Sequence, residues 1–204
     1  MRGYVLGPSD SVPAGAIGYA APIFASTEAA ARFCPVFRSG LTFAGALTAA
    51  TPMRVLSMGE TVDIAPFVWP VTGWAAGDAP DCALMAARYN VSGAQTLLRR
   101  ARQTIRAHGG PANAGLSSGP FIMTVHRKGG AVVLFDLSQA PPQDYRKWLD
   151  RAVSDLTDPG AHTTQVIRPV PRDRVRAFVF NSVDSWIGVL AVLIPGYAAR
   201  AAQG

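Results

Sequence analysis

Residues 118–157 read SGPFIMTVHRKGGAVVLFDLSQAPPQDYRKWLDRAVSDLT, and the fold is decided by how this stretch divides. Apolar and β-prone residues alternate on both sides of Lys128, Gly129 and Gly130, which predicts a hairpin. Taking those three residues as the loop pairs Val125 with Val133, Met123 with Phe135 and Phe121 with Leu137. All six then share one face, and Asp136 is kept off it. A glycine supplies the positive-φ position of such a loop. The opposite face collects Ile122, Thr124, His126, Val132, Leu134 and Asp136, a mixed set that predicts partial exposure, with His126 half-exposed.

A helix follows over 141–157. Pro141 and Pro142 suit its first turn, where missing N–H groups cost nothing, and Asp144 sits at the positive end of its dipole. Tyr145, Trp148, Leu149, Ala152, Val153 and Leu156 form an unbroken apolar stripe at helical spacing. Asp158, Pro159 and Gly160 stop it. The stripe and the apolar face of the hairpin are natural packing partners.

Working outward, a second amphipathic helix is predicted over 92–107. Ser92 and Gln95 form a capping-box pair, and Leu97, Leu98, Ala101 and Ile105 make the buried stripe. Arg99, Arg102 and Arg106 line the other side. Residues 163–169 and 174–181 read as further strands. The run from Trp186 to Ile194 is apolar all round and too short to span a bilayer, so a buried helix is expected.

Toward the N-terminus the pattern weakens. Residues 1–25 are rich in Gly, Pro and Ala and read as an extended arm. Ser26, Thr27 and Glu28 open a short helix expected to end at Cys34 and Pro35, and residues 53–58 and 61–67 suggest a small hairpin around Gly59 and Glu60. Trp69 and Trp74 sit among prolines and glycines, where they either plug the edge of the core or anchor a partner. The fold expected from all this is α+β: a mainly antiparallel sheet from about 118–181 covered by two amphipathic helices, with an irregular N-terminal third. In domain terms, an arm over 1–82 precedes a compact unit over 83–204.

Composition sets the functional bounds. The chain carries 19 basic and 13 acidic residues, a net charge of +6, yet Lys128 and Lys147 are its only lysines. Heavy arginine and alanine use matches a GC-rich coding bias, which weakens the step from arginine to nucleic acid. Only 16% of residues are charged while 49% are hydrophobic, against about a quarter charged in ordinary soluble domains. Either alanine richness alone accounts for this, or part of the surface is covered by copies of the chain, another protein or a membrane. Cys34 and Cys82 make neither a disulfide framework nor a metal-ligand spacing, so two buried thiols are expected, with a single bridge the alternative. No signal peptide is evident near Arg2, where Pro8, Ser9 and Asp10 interrupt any apolar run, which favours a cytoplasmic address. Peripheral membrane contact through 186–194 is the alternative.

Catalytic patterns are few. Gly115, Leu116, Ser117, Ser118 and Gly119 match the letters of a nucleophile elbow, and Asp136 and His162 follow in hydrolase order. That motif needs a strand before the serine and a helix after it, and here the order is reversed. No phosphate-cradling glycine loop occurs, and His108, His126 and His162 lack zinc spacing, so neither cofactor nor metal is expected. Asn90, Val91 and Ser92 form a glycosylation acceptor that coincides with a helix start. Arg174, Arg176, Phe178 and Phe180 share one strand face in the manner of an RNA-binding sheet, weakly. No motif names a family. The expected role is a non-enzymatic structural or adaptor subunit of a larger bacterial assembly, binding protein partners or itself through its apolar arms, with Trp69, Trp74, Arg99, Arg102 and Arg106 as the partner-binding residues. The alternatives are a small hydrolase using Ser117 and a basic nucleic-acid-binding module.

Overall fold

The computed structural model describes residues 2–7, 18–39, 42–46, 54–57, 60–63, 67–75, 77–108, 116, 119–126, 131–157, 168–169, 175–180 and 183–194. Residues 2, 42–46, 54–57, 60–63, 153–157, 168–169 and 183–184 are described by their backbone alone. In chain order the elements are β1 (Arg2–Leu6), β2 (Gly18–Ile23), α1 (Thr27–Ser39), β3 (Thr42–Ala46), β4 (Arg54–Ser57), β5 (Glu60–Asp63), β6 (Phe67–Pro70), α2 (Cys82–Ala87) and α3 (Val91–Ala107). There follow β7 (Phe121–His126), β8 (Val132–Asp136), α4 (Tyr145–Thr157), β9 (Arg168–Pro169), β10 (Arg176–Phe180) and α5 (Ile187–Leu193).

The chain is mixed α and β. Eight strands form one sheet in the order β3-β1-β6-β2-β7-β8-β10-β9, and β4 and β5 form the small separate hairpin the sequence suggests. The sheet has two halves. From β2 to β9 every pairing is antiparallel, as expected. From β3 to β2 every pairing is parallel. The N-terminal third is thus not irregular: it supplies four strands, hydrogen-bonded into the same sheet as the strands beyond residue 82. Its strands escape pattern recognition because parallel strands are buried on both faces and show no alternation. β2 and β6 are buried at every position.

The hairpin register also differs from expectation. Val125 pairs with Val132, Met123 with Leu134 and Phe121 with Asp136, one residue away from the predicted pairing. The His126 N–H donates to the Ala131 carbonyl at 3.0 Å, which leaves residues 127–130 as the connection. Asp136 therefore lies on the face with Phe121, Met123 and Val125, the face it was expected to avoid. It is tolerated there because Arg176 stands directly opposite on β10 and donates to its Oδ2 at 2.6 Å. The Ser138 N–H occupies Oδ1 at 3.0 Å. The second face of the hairpin is buried too, and His126 is only 4% exposed, not half-exposed.

Helices lie on both faces. Cross-strand registry places Phe67, Ala20, Thr124 and Val133 on one face, together with Ile122 and Phe135. Phe37 of α1 stacks on Phe67 at 5.8 Å, Trp148 of α4 meets Phe135 at 6.3 Å, and Tyr145 joins α4 to Phe33 of α1 at 5.5 Å. On the other face Phe180 meets Trp186, just before α5, at 4.5 Å. Of the two helices predicted to cover the sheet, α4 packs on β7 and β2, whereas α3 packs chiefly against α5. The described part of the α4 stripe, Tyr145, Trp148, Leu149 and Ala152, is buried as its spacing predicts; the side chains of Val153 and Leu156 lie outside the described residues.

Three local details refine the helix boundaries. Pro35 does not end α1, which continues for about one more turn, to Ser39, and so buries Phe37. The loss of one intrahelical bond at proline is offset by that burial. α3 is capped by Asn90, whose Oδ1 accepts from the Gly93 N–H at 2.9 Å, and not by Ser92; Gln95 donates instead to the Ala25 carbonyl at 3.0 Å. Asn90 is buried and its side chain is fully engaged, which removes it as a glycosylation acceptor.

Candidate interaction surface

α3 carries Arg99, Arg100, Arg102 and Arg106 over residues 91–107, and no Asp or Glu. At helical geometry Arg99 and Arg106 point nearly the same way, about 10 Å apart along the axis, with Arg102 between them and within one-sixth of a turn of each or less. Leu97, Leu98, Ala101 and Ile105 fill the inward side, which leaves the arginines nowhere to go but outward. Arg99, Arg100 and Arg106 are exposed. Arg102 is half-buried, and its guanidinium donates to the Leu116 carbonyl at 2.7 Å, so it holds the segment after the helix while extending the same positive stripe. Arg106 also lies in the last turn, where a cation meets the negative end of the helix dipole.

The two tryptophans part company. Trp69 is completely buried on β6, against Phe24 at 5.4 Å and Tyr89 at 5.7 Å, and its Nε1–H donates to the Met85 carbonyl at 3.0 Å. It is a core residue and presents nothing to a partner. Trp74 is half-buried on the loop between β6 and α2. The Arg88 guanidinium lies 5.9 Å over its ring and pairs with Asp78. Gly77, at φ +96°, permits the turn that brings Asp78 back to the Ala75 N–H. That N–H at 2.6 Å and, after it, Arg88 hold the Asp78 carboxyl below the ordinary carboxylate range. Asp78, Arg88 and Trp74 thus form a clasp just before α3. Sequence reasoning finds Trp74 but not its two charged companions, whose ten-residue separation is closed only when α2 folds back.

Other polar residues singled out by the sequence serve the fold. Asp136 and Arg176 are committed to one another, and Phe178 and Phe180 are buried, so the β10 face has no open stacking surface. Ser117, His162 and Arg174 lie outside the described residues. No group of three or more His, Cys, Asp or Glu able to hold a metal occurs among the described residues. Tyr89, buried, donates to the Pro22 carbonyl at 2.9 Å and accepts from the Phe24 N–H at 3.1 Å, and burial pushes its phenol well above the usual range. In the C-terminal run Trp186, Leu190, Leu193 and Ile194 are buried as expected, while Val192 is 47% exposed. No described helix is long and apolar enough to cross a membrane. Comparison with protein-family models, with curated proteins and with solved structures returned no match.

Proposed function

We propose that the chain is a structural or adaptor subunit of a larger protein assembly, and that it meets an acidic protein partner through the arginine stripe of α3. The observation that carries this reading is a helix with four arginines and no carboxylate, three of the four standing exposed on a rigid, core-anchored element. Like charges on one helix destabilise it slightly when isolated, so an outside anion is the natural complement. Trp74 and its clasp stand just before the start of the same helix. A guanidinium also pairs with carboxylates bidentately, which favours arginine over lysine at such a contact.

The test uses the full chain with two labelled probes of equal charge, a polyglutamate peptide and a single-stranded oligonucleotide, each followed by fluorescence anisotropy at two salt concentrations. Polyglutamate is expected to bind, and the double variant Arg99→Glu, Arg106→Glu to bind it about tenfold more weakly, since each exposed charge contact contributes up to about 1 kcal/mol. Unchanged binding by the variant refutes the surface. An oligonucleotide bound much more tightly than the peptide, with a steep salt slope, transfers the stripe to nucleic acid.

A further inference from the structure

Cys34 and Cys82 are joined by a disulfide, and no free cysteine occurs among the described residues. The sequence favours two buried thiols over a bridge, and the fold corrects that by bringing the two cysteines within bonding reach. Cys34 sits inside α1 between Phe33 and Phe37, completely buried, and Cys82 is the first residue of α2, half-buried. Their Cα atoms lie 5.6 Å apart, well within the span a disulfide bridges without moving backbone. The two helices are brought there by contacts that do not involve sulfur. Phe37 stacks on Phe67, and Trp69 of the same strand donates to Met85 of α2. Asp81 caps α2 by accepting from the Leu84 N–H at 2.9 Å. The pair is therefore placed by the fold and then closed.

We infer that Cys34–Cys82 is a permanent structural disulfide introduced by thiol–disulfide exchange, and that the chain matures in an oxidising compartment rather than the cytoplasm. Reducing cytosol keeps such thiols apart, whereas secreted, periplasmic and lumenal proteins retain them. The chemistry balances with an oxidant of the disulfide class. Cys82, the accessible sulfur, displaces one sulfur of the oxidant's disulfide to give a mixed disulfide. Cys34 then displaces the other, so the protein's two thiols lose two protons and two electrons and the oxidant leaves as a dithiol. Access runs through Cys82 alone, and reductants meet a bond whose other sulfur is sealed in the core. The compartment also narrows the choice of partner: whatever the α3 stripe meets must be found on the oxidising side.

The experiment quenches cells that make the full chain naturally with acid, alkylates with N-ethylmaleimide before and after dithiothreitol, and weighs the protein. Two adducts only after reduction are expected. Two adducts before reduction overturn the inference. A second measurement compares urea unfolding of the purified chain with and without dithiothreitol against the Cys34→Ser, Cys82→Ser double variant. Closing a loop of this size is expected to raise the folding constant on the order of a thousandfold, so reductant weakens the wild type by that factor and leaves the variant unmoved. A wild type indifferent to reductant also overturns the structural role.

Discussion

Two glycines in packed helices should respond to the same substitution with opposite sign. Gly93 is the third residue of α3, where its N–H is held by the Asn90 cap. A Cβ built there would meet Leu193 Cα at 2.7 Å, Val192 O at 2.9 Å and Asn90 Nδ2 at 2.9 Å. Carbon atoms in contact prefer about 3.5–4.0 Å, so Gly93→Ala must push the end of α5 back by close to an ångström. Overpacking of that kind costs about 1–3 kcal/mol. The same shift pulls at the bonds from Asn90 Nδ2 to the Val192 and Leu193 carbonyls, at 2.8 and 3.2 Å. Against this stands the helix-propensity gain of alanine over glycine, about 1 kcal/mol at most. The weakened Asn90 bonds, at about 1 kcal/mol, cancel that gain and leave a net loss of about 1–3 kcal/mol, because two of the three close atoms are backbone and cannot rotate away. Gly188 in α5 has nothing within 4 Å of the same Cβ. Gly188→Ala therefore keeps the propensity term alone and should stabilise by about 0.5–1 kcal/mol. Urea unfolding followed by far-ultraviolet circular dichroism, with equal slopes for all three proteins, reads both values. A Gly93→Ala chain as stable as the wild type would refute the close seating of α5 on α3.

Two further perturbations test the charged groups. Arg176→Ala strands a buried carboxylate at Asp136, and removing one member of a buried pair costs about 3–5 kcal/mol; because Arg176 keeps partial access to water, the low end of that range is expected. Denaturant midpoints for Arg176→Ala and for the double variant Asp136→Leu, Arg176→Leu check this, the double variant being expected to recover much of the loss. The Asp78 carboxyl is held below its ordinary pKa, so its contribution to the Trp74 clasp is present above that ordinary value and lost only as pH falls through the lower folded value. The indole N–H signal of Trp74 in an NMR titration should therefore stay fixed through mildly acidic pH and move at stronger acid, whereas in Asp78→Asn it should start displaced and ignore pH.

The hairpin and α4 are legible in the sequence because they are local: alternation marks the strands and a 3.6-residue stripe marks the helix. Their register is not legible, since the rule that keeps Asp136 away from apolar neighbours takes no account of Arg176, 40 residues downstream. Tertiary pairing overrides a local preference there. The parallel half is hidden for a different reason. Its strands are short, apolar on both faces and punctuated by Pro22 and Pro70, so they carry turn signals inside a sheet. The arginine stripe of Arg99, Arg102 and Arg106 is visible as a helical spacing, while Arg100 projects about 100° away from Arg99. What spacing cannot show is that Arg102 reaches Leu116, that Trp69 turns inward to Met85, or that Cys34 and Cys82 come within bonding reach.

The position of β2 at the seam between the two halves has a consequence for synthesis. β2 is complete at residue 23 and its parallel neighbour β6 at residue 70, but its antiparallel neighbour β7 ends only at residue 126. At about 5–20 residues per second, a ribosome takes roughly 3–11 s to cover that interval. For those seconds the growing chain holds a buried-type strand with one side unpaired, a template for pairing with other nascent chains. Neither Lys nor Glu guards that edge, since β2 reads GYAAPI. Pro22 is its one blunting residue. A chaperone that covers apolar strands, or slow delivery across a membrane in extended form, would meet this requirement, and the region between residues 70 and 126 is where translation speed bears most directly on yield.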